Sequence, residues 1–449
     1  MTDIKTTATG RYYIHTFGCQ MNVHDSEHLA GVLETLGYQA AECEEEADVI
    51  FLNTCSVREK ADQKLFTKLG RVRLLKRSNP DLIVGVSGCI AQREGERLFD
   101  RAPHTDIVLG TRAISRLPVL LQEFKQKRES GGGGVSFVEL EGNLSDSAIF
   151  VRGSKAVAYV TIMEGCDNFC SYCIVPHVRG REISRPAGNI LEEVRRLAEN
   201  GYVEIQLLGQ NVNSYNDENS GMDFAGLLDN VARISGIDRI RFITSHPKDF
   251  TEGVAEVMAR HDNICNAIHL PPQSGSDSIL KAMNRKYTRM DYLNKVKVLK
   301  KHLKNVSVSG DFICGFPGEN EADFKLSLDL LAEVRFSNLF TFVYSPRPGT
   351  KAAELDDDVA REVKVERLQR MQQLQERIQR ENHGKMVGMT QPVLIEGESA
   401  HGGGQLCGRT EGNLVVNLTA SKDLIGRIIP VEIIEAGSHS LSGRLMGPS

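Results

Sequence analysis

The sequence predicts an α/β protein in three parts: an N-terminal parallel α/β sheet domain, a central partial (β/α)6 barrel, and a small C-terminal all-β, OB-like barrel. Three observations predict it. Residues 11–127 alternate short apolar runs with amphipathic stretches, a second series of six such alternations starts near residue 154, and beyond residue 384 short β runs separated by turn residues remain. A length of 449 residues suits about three units, each able to bury its own core.

In the first part the apolar runs are YYIHTFG, DVIFLNT, LIVGVSG and DIVLG, with helical patterns over 25–37, 58–77 and 91–101. Strand and helix in alternation give a parallel sheet, because parallel neighbours need a crossover. The charged run KQKRES, glycines 131–134, a short VSFVEL strand and GNLSDSAIFVRGSK give a linker over 128–153. VAYVTIM, VEIQLLG, RIRFITS, NAIHLP, VSVSGDFI and LFTFVY are the strands of the central part, 154–383. Six repeats suit a partial barrel, although periodicity alone leaves a doubly wound sheet open. A polar helix over 360–383 leads out of it. In 384–449 the runs QPVLIEGE, NLVVNLT, IGRIIPVEIIEAGS and SLSGRLM, with a GGG turn at 402–404, suit a five-stranded barrel.

Composition excludes several classes. Ten cysteines are too sparse for a secreted disulfide framework, and the N-terminus lacks an apolar core with a cleavage site, so a cytoplasmic setting with reduced thiols is expected. No run approaches the ~18 apolar residues of a membrane helix, so no membrane partner is expected. The net charge is −5, yet Arg58–Arg77 carries +6 and Lys281–Lys304 carries +8. Such stripes attract phosphate, or else form solvated helix faces. Nothing reads as an obligate dimer stripe, so a monomer is expected.

Six cysteines fall where chemistry is expected. Cys166, Cys170 and Cys173 form CxxxCxxC directly after the first strand of the central part. Three thiolates at this spacing suit an iron–sulfur cube with one open iron, and His177 as a fourth ligand would suit zinc. Cys19, Cys55 and Cys89 each end an apolar run, one per βα unit. They converge beyond the carboxyl ends of parallel strands as a second open cluster site, or they are small buried residues at tight turns. The glycines before Cys19 and Cys89 let the backbone turn there. Cys43, Cys265, Cys314 and Cys407 have no such context. Gln210, Asn211, Ser245, His246, Gln273, Ser274, Ile313 and Gly315 end successive central strands and line the barrel mouth, or serve ordinary loop roles. Asn211 and Gln273 carry side-chain amides able to hydrogen-bond a ligand there. Arg179, Arg181 and Arg185 are placed to meet phosphate near the barrel mouth, or to pair with Glu182 or another carboxylate.

CxxxCxxC with Tyr172 before its last cysteine resembles the signature of the radical S-adenosylmethionine (SAM) superfamily. The resemblance implies that SAM chelates the open iron and that Tyr172 contacts its adenine. GCQMNVHDSE, NTCSVREKA, GCIAQ, MEGCDNFCSYCIVPHVRGREISRP, LLGQNVNSY, HLPPQSGSD and YSPRPGTKA together resemble the methylthiotransferases. Among them the wording is most similar to the tRNA 2-methylthio-N6-isopentenyladenosine synthases. That family implies a methylthiotransferase domain, a radical-SAM barrel and an RNA-binding TRAM domain. It also implies two 4Fe-4S clusters, two SAM per turnover, and transfer of a methylthio group to C2 of an isopentenylated adenosine in a tRNA anticodon stem-loop. An electron donor such as a flavodoxin or ferredoxin is expected. Two competitors are methylthiolation of a ribosomal protein aspartate and an RNA-binding iron–sulfur redox sensor.

Overall fold

The computed structural model describes residues 9–56, 59–140, 149–154, 156–399 and 404–446, without the side chains of 59 and 60. Arg58, linker residues 141–148 and the turn glycines Gly402 and Gly403 lie outside the described residues. The chain forms two compact units. The first takes in the chain to 153 with 164–167 and 173–183; the second takes in 154–163, 168–172 and the chain from 184.

In the first unit, β1 (Gly10–Thr16), β2 (Tyr38–Ala40), β3 (Val49–Thr54), β4 (Ile83–Gly88), β5 (Ile107–Leu109) and β6 (Val135–Phe137) form one sheet in the order β2-β1-β3-β4-β5-β6. Every pair in it is parallel. β3 and β4 are buried along their whole length, as a sheet covered on both faces requires. Successive residues of β3 serve opposite faces. Val49 and Phe51 pack with Leu29 and Leu33 of α1 (Gln20–Thr35), while Ile50 and Leu52 pack with Leu65, Leu69 and Val72 of α2 (Glu59–Ser78). The order reverses between β1 and β3, the switch point where ligands of open α/β sheets collect. Two details depart from expectation. β2 is too short and polar to stand out as an apolar run, and β6, expected within a linker, is the sixth strand, so this domain continues past residue 127.

In the second unit, β7 (Val157–Thr161), β8 (Glu204–Leu208), β9 (Arg239–Phe242), β10 (Ala267–His269), β11 (Ser307–Cys314) and β12 (Asn338–Val343) run parallel in chain order. They form two three-stranded ladders joined by an Ile240–Ile264 bridge, the arc of a partial barrel. The exit helix, Arg361–Gly384, looks polar because several of its buried residues cap main-chain oxygens. Gln375 donates to the Phe336 carbonyl at 3.0 Å, and His383 Nδ1 lies 2.8 Å from the Gly437 carbonyl.

β13 (Thr390–Glu398), β14 (Gln405–Thr410), β15 (Val415–Thr419), β16 (Ile428–Ala436) and β17 (Leu441–Leu445) close a barrel in the order β13-β14-β15-β17-β16. Val393, Ile395, Leu406, Val416, Leu418, Val431, Ile433 and Leu441 fill it. β14, QLCGRT, was not among the expected runs because only alternate residues face inward. This barrel is fixed to the central one by two buried arginines of β9. Arg239 donates to the carbonyls of Arg409 and Pro392 at 2.8 and 2.6 Å. Arg241 donates to those of Glu411 and Thr410 at 2.8 and 2.6 Å, and pairs with buried Glu204 at 3.0 Å.

Arg241→Ala would leave the Glu204 charge and two carbonyls buried without that partner. The expected loss is about 3 kcal/mol, read as a lower denaturant midpoint, with earlier proteolytic release of the C-terminal barrel. Arg196→Ala, which breaks an exposed pair with Glu192, should leave the midpoint in place.

Candidate functional site

Cys19, Cys55 and Cys89 directly follow β1, β3 and β4, the three strands at and beside the switch point. Glycines make this possible. Gly18 (φ +138°) could not carry a side chain, since a Cβ there would lie 2.4 Å from Asn22 Oδ1 and 2.6 Å from Cys55 Cβ. Gly88 (φ +85°) would bring a Cβ to 2.4 Å from Asn53 Oδ1 and from the Thr54 carbonyl. A buried amide network lies beneath the cysteines. Asn22 donates to Asn53 Oδ1 at 3.2 Å and to the Thr54 carbonyl at 3.1 Å, and Asn53 donates to the Asn22 carbonyl at 2.8 Å and to Ser26 Oγ at 2.9 Å. Both asparagines stand inside the quoted motifs, in CQMN and LNTC, yet only their neighbouring cysteines had an evident chemical role.

None of the three cysteines is in a disulfide among the described residues. The Cys19 thiol is drawn down to about 6, first by the hydrogen bond from Cys55 and then by the nearby Arg179 guanidinium. Its position at the N-terminus of α1 favours the thiolate further. Burial pushes the Cys89 thiol up, and Arg179 opposes that. Beside Cys55 and Cys89, the hydroxyls of Ser56 and Ser87 are buried and have no hydrogen-bond partner among the described residues. A Cys19 thiol poised to ionise, with unsatisfied hydroxyls next to Cys55 and Cys89, suits a bound iron–sulfur group better than three inert turn residues.

Arg179 corrects an expectation. It was placed to meet RNA, but it is 3% exposed and donates to Asp25 Oδ2 at 2.6 Å and Glu164 Oε1 at 2.8 Å. The pairing alternative therefore holds, and phosphate has no access to this guanidinium. Arg185 is corrected for the same reason. It is buried and donates to the Thr161 carbonyl at 2.7 Å and to Glu193 at 2.9 Å. Arg181 alone of the three has an exposed side chain, 3.4 Å from Asp167. Around Arg179 the segment carrying Cys166 and Cys173 is held to the sheet domain. Thr111 donates to the Val178 carbonyl at 2.7 Å, and Arg112 to the Arg181 carbonyl at 2.7 Å. His177, the candidate zinc ligand, lies exposed in the short helix Val175–Arg179. Among the described residues, metal-type ligands gather within 4.8 Å only at Glu252, Glu256 and His302, where Lys301 also pairs with Glu252 at 3.0 Å.

In the second unit the strand ends gather around Cys170. Arg285 Nη1 lies 3.3 Å from Cys170 Sγ, and His246 Nε2 lies 3.9 Å from it. Asn211 orients this histidine's loop by accepting from the His246 amide at 3.0 Å and donating to Asp249 at 2.7 Å. Burial, then the Arg285 charge, keeps the His246 imidazole neutral far below its usual range. Tyr172 and Ile313 pack against one apolar cluster with Met283, Phe316 and Tyr344. Ser245 Oγ is buried without a partner among the described residues. Gln273 holds a left-handed conformation (φ +68°), kept by main-chain bonds to Asp311 and Ile313. Gln210 is half-buried at the end of β8. Ser274 and Gly315 are engaged within the fold. The Ser274 hydroxyl accepts from the Ser276 amide at 3.2 Å, and the Gly315 amide donates to Glu319 at 2.6 Å. Arg285 was counted in the basic stripe 281–304, but it is 3% exposed and does not belong to a phosphate-facing surface.

Family models match three segments in turn: Uncharacterized protein family UPF0004 over residues 11–110, the Radical SAM superfamily over 160–331 and the TRAM domain over 384–446. The chain is 46% identical to the tRNA-2-methylthio-N(6)-dimethylallyladenosine synthase of Syntrophotalea carbinolica, over 96% of this chain and 99% of that protein. It is 49% identical to the protein of that name from Geotalea uraniireducens, over 96% of this chain and 98% of that one. The chain belongs to the tRNA-2-methylthio-N(6)-dimethylallyladenosine synthase family. At the level of fold it is similar to the radical S-adenosylmethionine methyltransferase TsrM of Kitasatospora setae, with a TM-score of 0.55, 13% identity and 77% of each chain covered. In this synthase family member the first two matched segments carry the two cysteine sets separately, Cys19, Cys55 and Cys89 in one and Cys166, Cys170 and Cys173 in the other.

In the iron-free protein, alkylation of Cys19 should rise with pH through a midpoint near 6, the pH at which its thiolate forms. Cys55→Ala removes the hydrogen bond that stabilises the thiolate. It should move that midpoint up toward the ordinary thiol value, measured by mass spectrometry of the labelled peptide.

Proposed function

We propose that this protein transfers a methylthio group to C2 of N6-isopentenyladenosine next to the anticodon of tRNA, consuming two SAM per turnover. The observation that carries this reading is the near full-length similarity to synthases of that name in a chain with two sets of strand-end thiols. C2 bears an unactivated aryl hydrogen that no side-chain base removes at neutral pH, so a cofactor has to supply the oxidising step. When bound, two 4Fe-4S clusters and SAM supply one-electron cleavage of the sulfonium and an iron site for the sulfur to be transferred.

The chain's own part is to hold and orient these groups. Cys166, Cys170 and Cys173 ligate the SAM-binding cluster, and Cys19, Cys55 and Cys89 ligate the sulfur-bearing one. Tyr172 and Ile313 offer an apolar seat for the adenine. Gln210, Asn211, Ser245, Gln273, Ser274 and Gly315 form the polar remainder of the SAM site, and the unsatisfied Ser245 hydroxyl supports that role. A base in a structured loop has to be splayed out to be reached, and exposed Arg181 is the arginine of its loop available to the RNA. The exposed face of α2, with Lys64, Arg71, Arg73 and Arg77, adds sequence-independent attraction for phosphate. A flavodoxin or ferredoxin serves as electron donor, and the protein works in the cytoplasm as a monomer. No helix among the described residues is long and apolar enough to cross a membrane.

Reconstituted, reduced protein should cleave SAM to 5′-deoxyadenosine and should restore the methylthio nucleoside to tRNA from a strain lacking it, measured by nucleoside mass spectrometry. Cys55→Ala should keep SAM cleavage and lose the methylthio product. Two clusters without SAM cleavage would point to a redox sensor, and unimpaired transfer by Cys55→Ala would remove the second cluster from the reaction.

A further inference from the structure

Arg285 is a buried cation without a carboxylate. Its guanidinium donates to the Tyr287 hydroxyl at 2.8 Å, the Pro271 carbonyl at 2.9 Å, Cys170 Sγ at 3.3 Å and the Tyr172 hydroxyl at 3.4 Å. No Asp or Glu lies within ion-pair distance of it among the described residues. Four other buried arginines are compensated, Arg179 by Asp25 and Glu164, Arg185 by Glu193, Arg241 by Glu204 and Arg367 by Glu319, while buried Arg239 meets main-chain carbonyls and, unlike Arg285, has no cysteine sulfur among its hydrogen-bond partners. A desolvated charge is costly unless an anion meets it. Burial pushes the Tyr287 phenol up to about 12, and the Cys170 sulfur is the group in the Arg285 shell that a bound iron would hold as thiolate.

We propose that Arg285 is a positioning and tuning residue for the cluster held through Cys170, with its positive charge raising that cluster's reduction potential. This rests on the assignment of Cys166, Cys170 and Cys173 as cluster ligands. Three thiolates around a 4Fe-4S core carry a net negative charge, and taking up one electron from the donor makes it more negative. A cation hydrogen-bonded to a ligating sulfur stabilises the reduced form more than the oxidised one. No bond in the protein forms or breaks in this step. The contrast with Arg179 adds a direction: its charge is already offset by two carboxylates, so it gives the cluster on Cys19, Cys55 and Cys89 less help in accepting an electron. The electron is thereby directed to the cluster that meets SAM.

The test uses full-length protein carrying Cys19→Ala, Cys55→Ala and Cys89→Ala, so that one cluster is observed, reconstituted and titrated with dithionite under EPR without SAM. Arg285→Gln, which removes the charge, should keep its iron and show a lower midpoint potential. Arg285→Lys should fall between Arg285→Gln and the parent, and Tyr287→Phe, which keeps the guanidinium, should stay near the parent. If Arg285→Gln does not take up iron, the comparison of Arg285→Lys with Tyr287→Phe carries the same expectation. An unchanged midpoint in Arg285→Gln, or a midpoint in Arg285→Lys no lower than in Tyr287→Phe, overturns the proposal. So does a weaker Kd for SAM with no change in midpoint, which would make Arg285 a ligand of SAM alone. Failure of the parent to bind any iron would instead defeat the ligand assignment itself.

Discussion

Taking a guanidinium out of water is costly unless anions or other acceptors meet it, and the first unit is organised around the two carboxylates that meet Arg179. Asp25 reaches it from α1, which begins directly after Cys19, and Glu164 reaches it from the segment leading into Cys166. Losing any one member would strand the others in a low-dielectric interior, which costs about 3 to 5 kcal/mol for a broken buried pair. The same charge acts on the Cys19 and Cys89 thiols. One side chain thus anchors the cysteine loop, fixes α1 against it and sets the electrostatics of the thiols at the sheet's switch point.

Around that charge, backbone geometry decides where the sulfur atoms emerge. Parallel strands present all their carboxyl ends on one side, so a cysteine placed just beyond each of β1, β3 and β4 needs no long loop to reach its companions. The close approach of Gly18 to Cys55 and Asn22, and of Gly88 to Asn53 and Thr54, leaves no room for a Cβ. Asn22 and Asn53 then satisfy the main chain that these turns expose. In the second unit the corresponding task falls to polar loops, where Asn211, His246 and Asp249 brace one another beside Cys170.

The parts legible in the sequence are those with a period or a spacing. Val49–Thr54 and Ile83–Gly88 are continuous apolar runs buried on both faces, and they announced a parallel sheet with cysteines at its ends. Tyr38–Ala40 and Gln405–Thr410 did not, because a three-residue strand and a half-polar barrel strand carry little periodicity. Burial of charge was the least visible property. Arg179 looked like an RNA-facing cation and Arg285 like part of a phosphate-attracting stripe, because nothing local distinguishes an exposed arginine from one whose partners lie far away in the chain: Asp25 is 154 residues from Arg179, and Cys170 is 115 from Arg285. The exit helix was read correctly as polar, but its polarity serves buried carbonyls.

The attachment of the C-terminal barrel has a different kind of consequence. Arg239 and Arg241 grip the main-chain oxygens of Pro392, Arg409, Thr410 and Glu411, atoms that every amino acid possesses. These polar bonds are indifferent to side-chain identity at the residues they grip, and the barrel's side-chain share of the joint includes the apolar contact of Leu394 and Ile428 with Ala156 and Val157. The side chains of Pro392, Arg409, Thr410 and Glu411 are therefore free to change without loss of these four bonds, whereas a change at Leu394 or Ile428 would be felt at the seam.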